Sequence, residues 1–320
     1  MSIENIYESI PPSQRSPRAS HPFGIYNIEL TNRCPMKCVM CPRTKNMTRP
    51  QGFIDYELYQ RAIDELVLNN SEYINNRLVW LHHFGESLLH PRFVDFIRYA
   101  SSKGVRAALS INPLMLRYDF IDELLKAEPY LLCMSLDGHD DESFYKIRGV
   151  KKAYGMSHDR LIDFLSRKVK SRSRIKVMVS MIDFDMNEAS IKAQESYWKR
   201  IAGVDQFLCK DFSTWDGVAG DINALAKNDG RTVGVVDKSA VACTLPWEVM
   251  TVTWNGDVVP CCYDYDAKIV LGNMKEQSLA DIWNGEKLQS IRMEFIENKV
   301  TNPLCRHCEK LYLPLERRRL

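Results

Sequence analysis

The chain has 320 residues, 45% of them apolar and 26% charged, with a net charge of +2 at neutral pH. That length suits one large domain plus a small one, and so even a charge balance gives no reason to expect nucleic acid or an acidic membrane surface as partner. No run of about 18 apolar residues offers a transmembrane helix, and residues 1–24 lack the apolar segment of a signal peptide, so the expected location is the cytoplasm.

In chain order, residues 1–24 read as a polar arm rich in Pro and Ser. Ile25–Leu30 is a short apolar strand that delivers a loop carrying Cys34, Cys38 and Cys41. Tyr56–Val67 has helical periodicity, with Asp55 placed to cap it. Strands at Leu78–His82, Val105–Ile111, Leu131–Leu136, Ile175–Met181 and Asp205–Phe212 alternate with helices at Arg92–Ser102, Tyr118–Ala127, Glu142–Ile147, His158–Lys170 and Glu188–Ile201. Repeated β–α units over residues 25–212 predict a parallel sheet with helices outside. Six such strands predict an α/β fold of partial (β/α)6 TIM type, open at one side, with its chemistry at the C-terminal strand ends. Residues 213–242, with Trp215-Asp216-Gly217 and Lys227-Asn228-Asp229-Gly230, read as a linker. From Cys243 the pattern becomes a hairpin, Val249–Trp254 and Asp257–Cys262 about an Asn255-Gly256 turn. Short helices follow at Leu279–Trp283 and Lys287–Phe295. Residues 243–310 thus form a small C-terminal unit, and 311–320 a tail with three arginines at its end.

Ten cysteines in a chain without an export signal argue against a disulfide framework. Three lie at 34–41 and five at 243–308, with only Cys133 and Cys209 between. The grouping predicts two metal sites in a reducing compartment. Three thiolates in Cys34-Pro-Met-Lys-Cys38-Val-Met-Cys41 can ligate one face of a [4Fe–4S] cube and leave one iron open. Zinc favours Cys-x2-Cys pairs and a closed four-ligand shell, so the spacing argues against a zinc knuckle. Cys305-Arg-His-Cys308 is a chelating pair that Cys243 and either Cys261 or Cys262 can complete. Adjacent strand residues face opposite sides, so one of that last pair is spare.

The Cys-x3-Cys-x2-Cys run resembles the signature of the radical S-adenosylmethionine (SAM) superfamily, with Met40 where that family usually has an aromatic. The resemblance implies that SAM chelates the open iron and is cleaved to a 5′-deoxyadenosyl radical. His82-His83-Phe84-Gly85-Glu86 at the end of strand 2 resembles the family's GE motif. Ser110 and Asn112 after strand 3, Ser135 and Asp137 after strand 4, and Arg148 a helix later resemble its remaining SAM contacts. Cys243-x3-Trp247, Trp254-Asn-Gly-Asp-Val-Val-Pro-Cys261-Cys262, Leu271-Gly272-Asn273 and Cys305-x2-Cys308 resemble a SPASM-type extension in its shorter twitch form. That implies one auxiliary [4Fe–4S] cluster held by Cys243, Cys261, Cys305 and Cys308, since the twitch spacing favours Cys261.

The pattern is similar to the butirosin-pathway 2-deoxy-scyllo-inosamine dehydrogenase type and to related aminoglycoside epimerases, both of antibiotic biosynthesis. It implies oxidation of an alcohol carbon of a small polyol, aminocyclitol or sugar, with the auxiliary cluster as electron acceptor. Lys210, Asp211 and Asp216 are candidate bases by location. An epimerase would use Cys262 or Cys209 as hydrogen-atom donor, and a peptide maturase is a third reading. His82, His83 and His90 read either as ligands or bases near the barrel mouth or as packed side chains. A small-molecule substrate and an electron donor such as flavodoxin or ferredoxin are the expected partners.

Overall fold

Parallel sheets buried on both faces are built from nearly continuous apolar runs, and Leu131–Ser135 and Lys176–Asp183 are such runs. The computed structural model describes residues 10–226 and 239–313. The first nine residues of the expected arm, 227–238 of the expected linker, and 314–320 with their three arginines lie outside the described residues.

The strands are β1 (Gly24–Ile28), β2 (Leu78–Trp80), β3 (Arg106–Ile111), β4 (Leu131–Ser135), β5 (Lys176–Asp183), β6 (Gln206–Asp211), β7 (Val249–Val252), β8 (Asp257–Val259) and β9 (Gly272–Asn273). Among the described residues they form one sheet in the order β6-β5-β4-β3-β2-β1-β7-β8-β9. The first six are parallel in sequence order and β6 is an edge, which is the open partial barrel expected. One pairing departs from expectation. β7 adds in parallel to β1, with Gly24 opposite Val249 and Ile28 opposite Val252. The C-terminal hairpin therefore continues the barrel's sheet on its other side, with β7 and β8 antiparallel about the expected turn, where Gly256 takes φ +91°.

The helices are α1 (Tyr56–Asn69), α2 (Ser71–Asn76), α3 (Phe93–Ser102), α4 (Tyr118–Ala127), α5 (Asp141–Arg148), α6 (Tyr154–Ser171), α7 (Glu188–Trp198), α8 (Gly220–Asn223), α9 (Leu279–Trp283) and α10 (Glu286–Ile296). Asp55 caps α1 by accepting from the N–H groups of Glu57 and Leu58. Asp140 and Ser143 form a reciprocal capping box on α5. The sheet's outer face packs against the helices in a core that includes Ile25, Val79, Leu109, Leu132, Val177 and Phe207. Its inner face is a smaller apolar floor of Leu78, Ala108, Leu131, Cys133, Met178 and Leu208. The described part of the arm straps the C-terminal unit. Arg15 Nη1 donates to Val241 O at 2.5 Å, Trp247 Nε1 to Ser16 O at 2.7 Å and Trp283 Nε1 to His21 O at 3.0 Å.

Candidate active site

A cavity of about 330 Å³ opens above the apolar floor at the C-terminal strand ends. Cys34, Cys38 and Cys41 line it from the loop after β1. That loop is fixed from outside: Lys37 N donates to Arg148 O at 3.1 Å and Val39 N to Ile147 O at 3.0 Å, both at the end of α5. The close approach needs Gly149, whose φ is +73° and where a Cβ would stand 2.6 Å from Lys37 O. Thr44 Oγ1 donates to Cys38 O at 2.9 Å, and Arg43 donates to Met36 O. Burial and the Glu86 carboxylate push the Cys34 thiol up to about 12, while burial and Cys38 push Cys41 to about 11. The pull of Arg43 on both works the other way.

The ends of β2, β3 and β4 make one polar network in the same cavity. Glu86 accepts from Asn112 N at 3.1 Å and Leu88 N at 3.2 Å. Asn112 Nδ2 donates to Ser135 O at 3.4 Å, and Ser110 Oγ meets Ser135 Oγ at 3.2 Å. Burial pushes Glu86 up to about 7 against the hydrogen bonds that favour its charged form. Gly85 lines the cavity, but its lack of a side chain has a second cause. A Cβ there would stand 1.9 Å from Thr31 O, so the glycine admits the backbone entering the cysteine loop.

Asp137 is not a cavity-lining residue. Fully buried, it accepts from Ile182 N at 2.8 Å and Asn187 Nδ2 at 2.5 Å and pairs with Arg148, which does line the cavity. Burial works to lower the Arg148 guanidinium, and Asp137 and Cys38 together raise it instead. Arg148 Nη1 stands 3.6 Å from Cys38 Sγ.

Lys210 and Asp211 from β6 border the cavity, as does Cys262. Cys209 does not. Strand alternation turns it outward with Phe207 into the helix-side core, while Leu208 faces the floor. Asp216 is also removed from the cavity, fully buried and paired with Lys268. His82 lines the cavity, and its Nδ1 accepts from Ser110 N at 3.2 Å. Burial, with Lys210 nearby, pushes its imidazole down to about 3, so it is neutral. His83 Nε2 lies 2.8 Å from Cys262 O and its Nδ1 3.5 Å from the Glu29 carboxylate. His90 is packed, its Nε2 3.1 Å from Ile54 O.

A second, smaller cavity of about 30 Å³ is apolar, and Cys243, Cys261, Cys305 and Cys308 all line it. Cys261 and Cys262 thus face different cavities, as adjacent strand-end residues should. Burial first, and the neighbouring thiols next, push Cys261 and Cys305 well up. Among the described residues no three His, Cys, Asp or Glu side chains converge closely enough to hold a single metal ion. The four thiols surround a void instead, a donor set and setting that fit an iron–sulfur cube. Tyr263 and Lys310 line both cavities and form the wall between them.

Several lining residues escaped sequence reasoning. Tyr26, Asn27, Tyr263 and Lys310 carry no motif of their own, Phe84 has no role assigned within the His82–Glu86 run, and Trp215 lies in the expected linker. Trp215 Nε1 donates to Met40 O at 3.0 Å, and its ring meets Phe84 at 5.0 Å and Tyr263 at 5.7 Å, edge to face. These aromatics roof the cysteine loop. The Trp-Asp-Gly that marked a linker was the available signal, since a tryptophan in a loop usually has something to cover.

With this geometry in hand, comparison with known proteins is decisive. Residues 28–189 match the radical SAM superfamily. The chain belongs to that superfamily. Residues 243–309 match the SPASM iron–sulfur cluster-binding domain. A radical SAM enzyme of this composition takes SAM, a [4Fe–4S] cluster and auxiliary iron–sulfur binding as its cofactors. One relative is a tungsten-containing aldehyde ferredoxin oxidoreductase cofactor-modifying protein of Pyrococcus furiosus, 23% identical over 319 residues, covering 88% of this chain and 86% of the relative. Another is the S-adenosyl-L-methionine-dependent 2-deoxy-scyllo-inosamine dehydrogenase of Niallia circulans, 20% identical over 298 residues, with 92% and 96% covered. In fold the chain is similar to the crystal structure of BtrN in complex with AdoMet and 2-DOIA, at a TM-score of 0.59 and 18% identity, with 89% of this chain and 92% of that one covered. Among the described residues of this radical SAM enzyme, no helix is long and apolar enough to cross a membrane.

Proposed function

We propose that the enzyme oxidises an alcohol carbon of a small polyol, sugar or cyclitol to a ketone. One observation carries this reading: a single cavity is bordered by Cys34, Cys38 and Cys41, by Lys210 and Asp211 of β6, and by the Cys262 end of the C-terminal hairpin. The inosamine dehydrogenase activity of the Niallia relative supports the same class.

When bound, SAM at a cluster held by Cys34, Cys38 and Cys41 supplies hydrogen-atom abstraction from an unactivated C–H bond, and a second cluster held by Cys243, Cys261, Cys305 and Cys308 supplies an electron acceptor. Ser110, Asn112 and Ser135 present polar atoms suited to ribose hydroxyls, and Asp137 fixes Arg148 beside the cysteine loop. Met40, Phe84 and Trp215 exclude water from that loop. Oxidation removes a hydrogen atom, a hydroxyl proton and an electron from the alcohol. Asp211 takes the proton, and Lys210 orients the substrate. Tyr263 and Lys310, which line both cavities, would stand between the substrate and a cluster held by the second cysteine group. The starting electron would come from a flavodoxin- or ferredoxin-type donor in a reducing cytoplasm, which keeps these cysteines out of disulfides.

Reconstituted enzyme given SAM, dithionite and a panel of inositols and sugars should form a product two mass units lighter than its substrate, matched by 5′-deoxyadenosine. Asp211→Asn should slow ketone formation about 100-fold. A product of unchanged mass contradicts the reading.

A specific observation favours a second reading. Cys262 borders the reacting cavity rather than the smaller one, so its thiol is placed to return a hydrogen atom to a substrate carbon, as an epimerase requires.

A further inference from the structure

The charge of the substrate follows from β6, granted the oxidation reading above. Among the described residues the charged groups lining the cavity are Arg43, Arg148, Lys210, Lys310, Glu86 and Asp211. Most are already committed. Arg148 pairs with Asp137 and Lys310 with Glu309 at 3.1 Å, while Arg43, also without an ion pair among the described residues, stands on the cysteine loop, donates to Met36 O and faces the Cys34 and Cys41 thiols rather than β6. Glu86 accepts from two backbone N–H groups.

Lys210 differs. Its ammonium makes no ion pair among the described residues, and its hydrogen-bond partner is the buried Cys133 thiol at 3.4 Å. Cys133 in turn reaches Ser180 Oγ at 3.3 Å. A thiol is a weak acceptor and an ammonium carries three donors, so most of that capacity is left for a ligand. The floor of Leu131, Met178 and Leu208 beneath it is apolar, and the Ser180 hydroxyl on the same face of β5 is engaged by the Cys133 thiol. Ile182, opposite Lys210 in register, is apolar too. Beside Lys210, neutral His82 uses Nδ1 as an acceptor from Ser110 N, which leaves its Nε2–H as a further donor.

We propose that Lys210 binds an oxyanion of the substrate, a carboxylate or phosphate carried on the polyol, so that the preferred substrate is an acidic sugar or cyclitol rather than an amine-bearing one. A lysine on an apolar floor, flanked by a neutral imidazole donor, attracts an oxyanion by charge-assisted hydrogen bonding. It repels an ammonium for the same reason.

The test is calorimetric titration of iron-replete, SAM-bound enzyme with glucuronate, glucose 6-phosphate, myo-inositol and glucosamine. At least one anion should bind about tenfold or more tighter than myo-inositol, with glucosamine weakest. Whichever anion leads separates carboxylate from phosphate. Lys210→Met should erase the preference and Lys210→Arg should keep most of it, with iron content and circular dichroism reporting that each variant is folded. If Lys210→Met does not fold, the wild-type ranking of the four probes still decides. Equal or absent binding of all four, tightest binding by glucosamine, or an anion preference that survives in Lys210→Met overturns the proposal. Ketone formation from an amine-bearing polyol would overturn it while keeping the oxidation reading. Tight binding of an anion that is epimerised would do the reverse.

Discussion

Burial alone would push the Glu29 carboxyl up, but hydrogen bonds from Arg49 at 2.6 and 2.5 Å, with His83 nearby, hold it at about 2. Trp254 N, at the turn of the C-terminal hairpin, donates to the same carboxylate at 3.2 Å. A carboxyl depressed in the folded state stabilises above its unfolded pKa, and that contribution is lost as pH falls through the folded value. Here it is complete above about pH 4.5, amounts to about 3 kcal/mol, and fades toward pH 2. Glu29→Gln should therefore flatten the fall of the urea midpoint between pH 6 and pH 3. Arg49→Met, which strands the buried charge, should cost about 3–5 kcal/mol at neutral pH. Also at this scale, Cys261→Ala should lower iron from about eight to about four per chain, whereas Cys262→Ala should leave it near eight. Elemental analysis after reconstitution separates them, and equal iron loss in both variants would contradict their assignment to different cavities.

The elements divide by how local their causes are. The six parallel strands were legible because each is a short buried run flanked by amphipathic helices. The Asn255-Gly256 turn was legible because its conformation is a local property. The pairing of β1 with β7 was not, since it joins Gly24 to Val249 across 225 residues and nothing in either strand names the partner. For the same reason Glu29 carried no signal. A lone acidic residue in an apolar strand gives no hint that Arg49 and Trp254 will converge on it. Cys209 shows the converse error, a residue type suited to the chemistry but on the wrong side of a period-two strand. Gly85 is legible as a requirement but not as to its cause. Gly85→Ala should displace the Thr31–Asn32 backbone and cost about 1–3 kcal/mol or more. Loss of SAM cleavage alongside a lowered unfolding temperature would show the link, and unchanged behaviour in both would contradict it.

At the scale of the whole molecule, two cysteine groups more than 200 residues apart in sequence end at two cavities that share Tyr263 and Lys310 in their linings. The sheet brings this about by placing β7 beside β1, and the described arm straps the C-terminal unit through bonds to Val241, Trp247 and Trp283. The SAM signature and the auxiliary cysteines were both legible in the sequence as separate motifs. Their arrival at adjoining cavities comes from tertiary packing alone. The central claim is that the larger cavity serves oxidation. The most direct measurement is mass spectrometry of the product formed in deuterated buffer by wild type and by Cys262→Ala. The account expects a product two mass units lighter, without stable solvent deuterium at the reacting carbon, from both proteins. A product of unchanged formula that gains one solvent deuterium in the wild type and is lost in Cys262→Ala would contradict it and make Cys262 a hydrogen-atom donor.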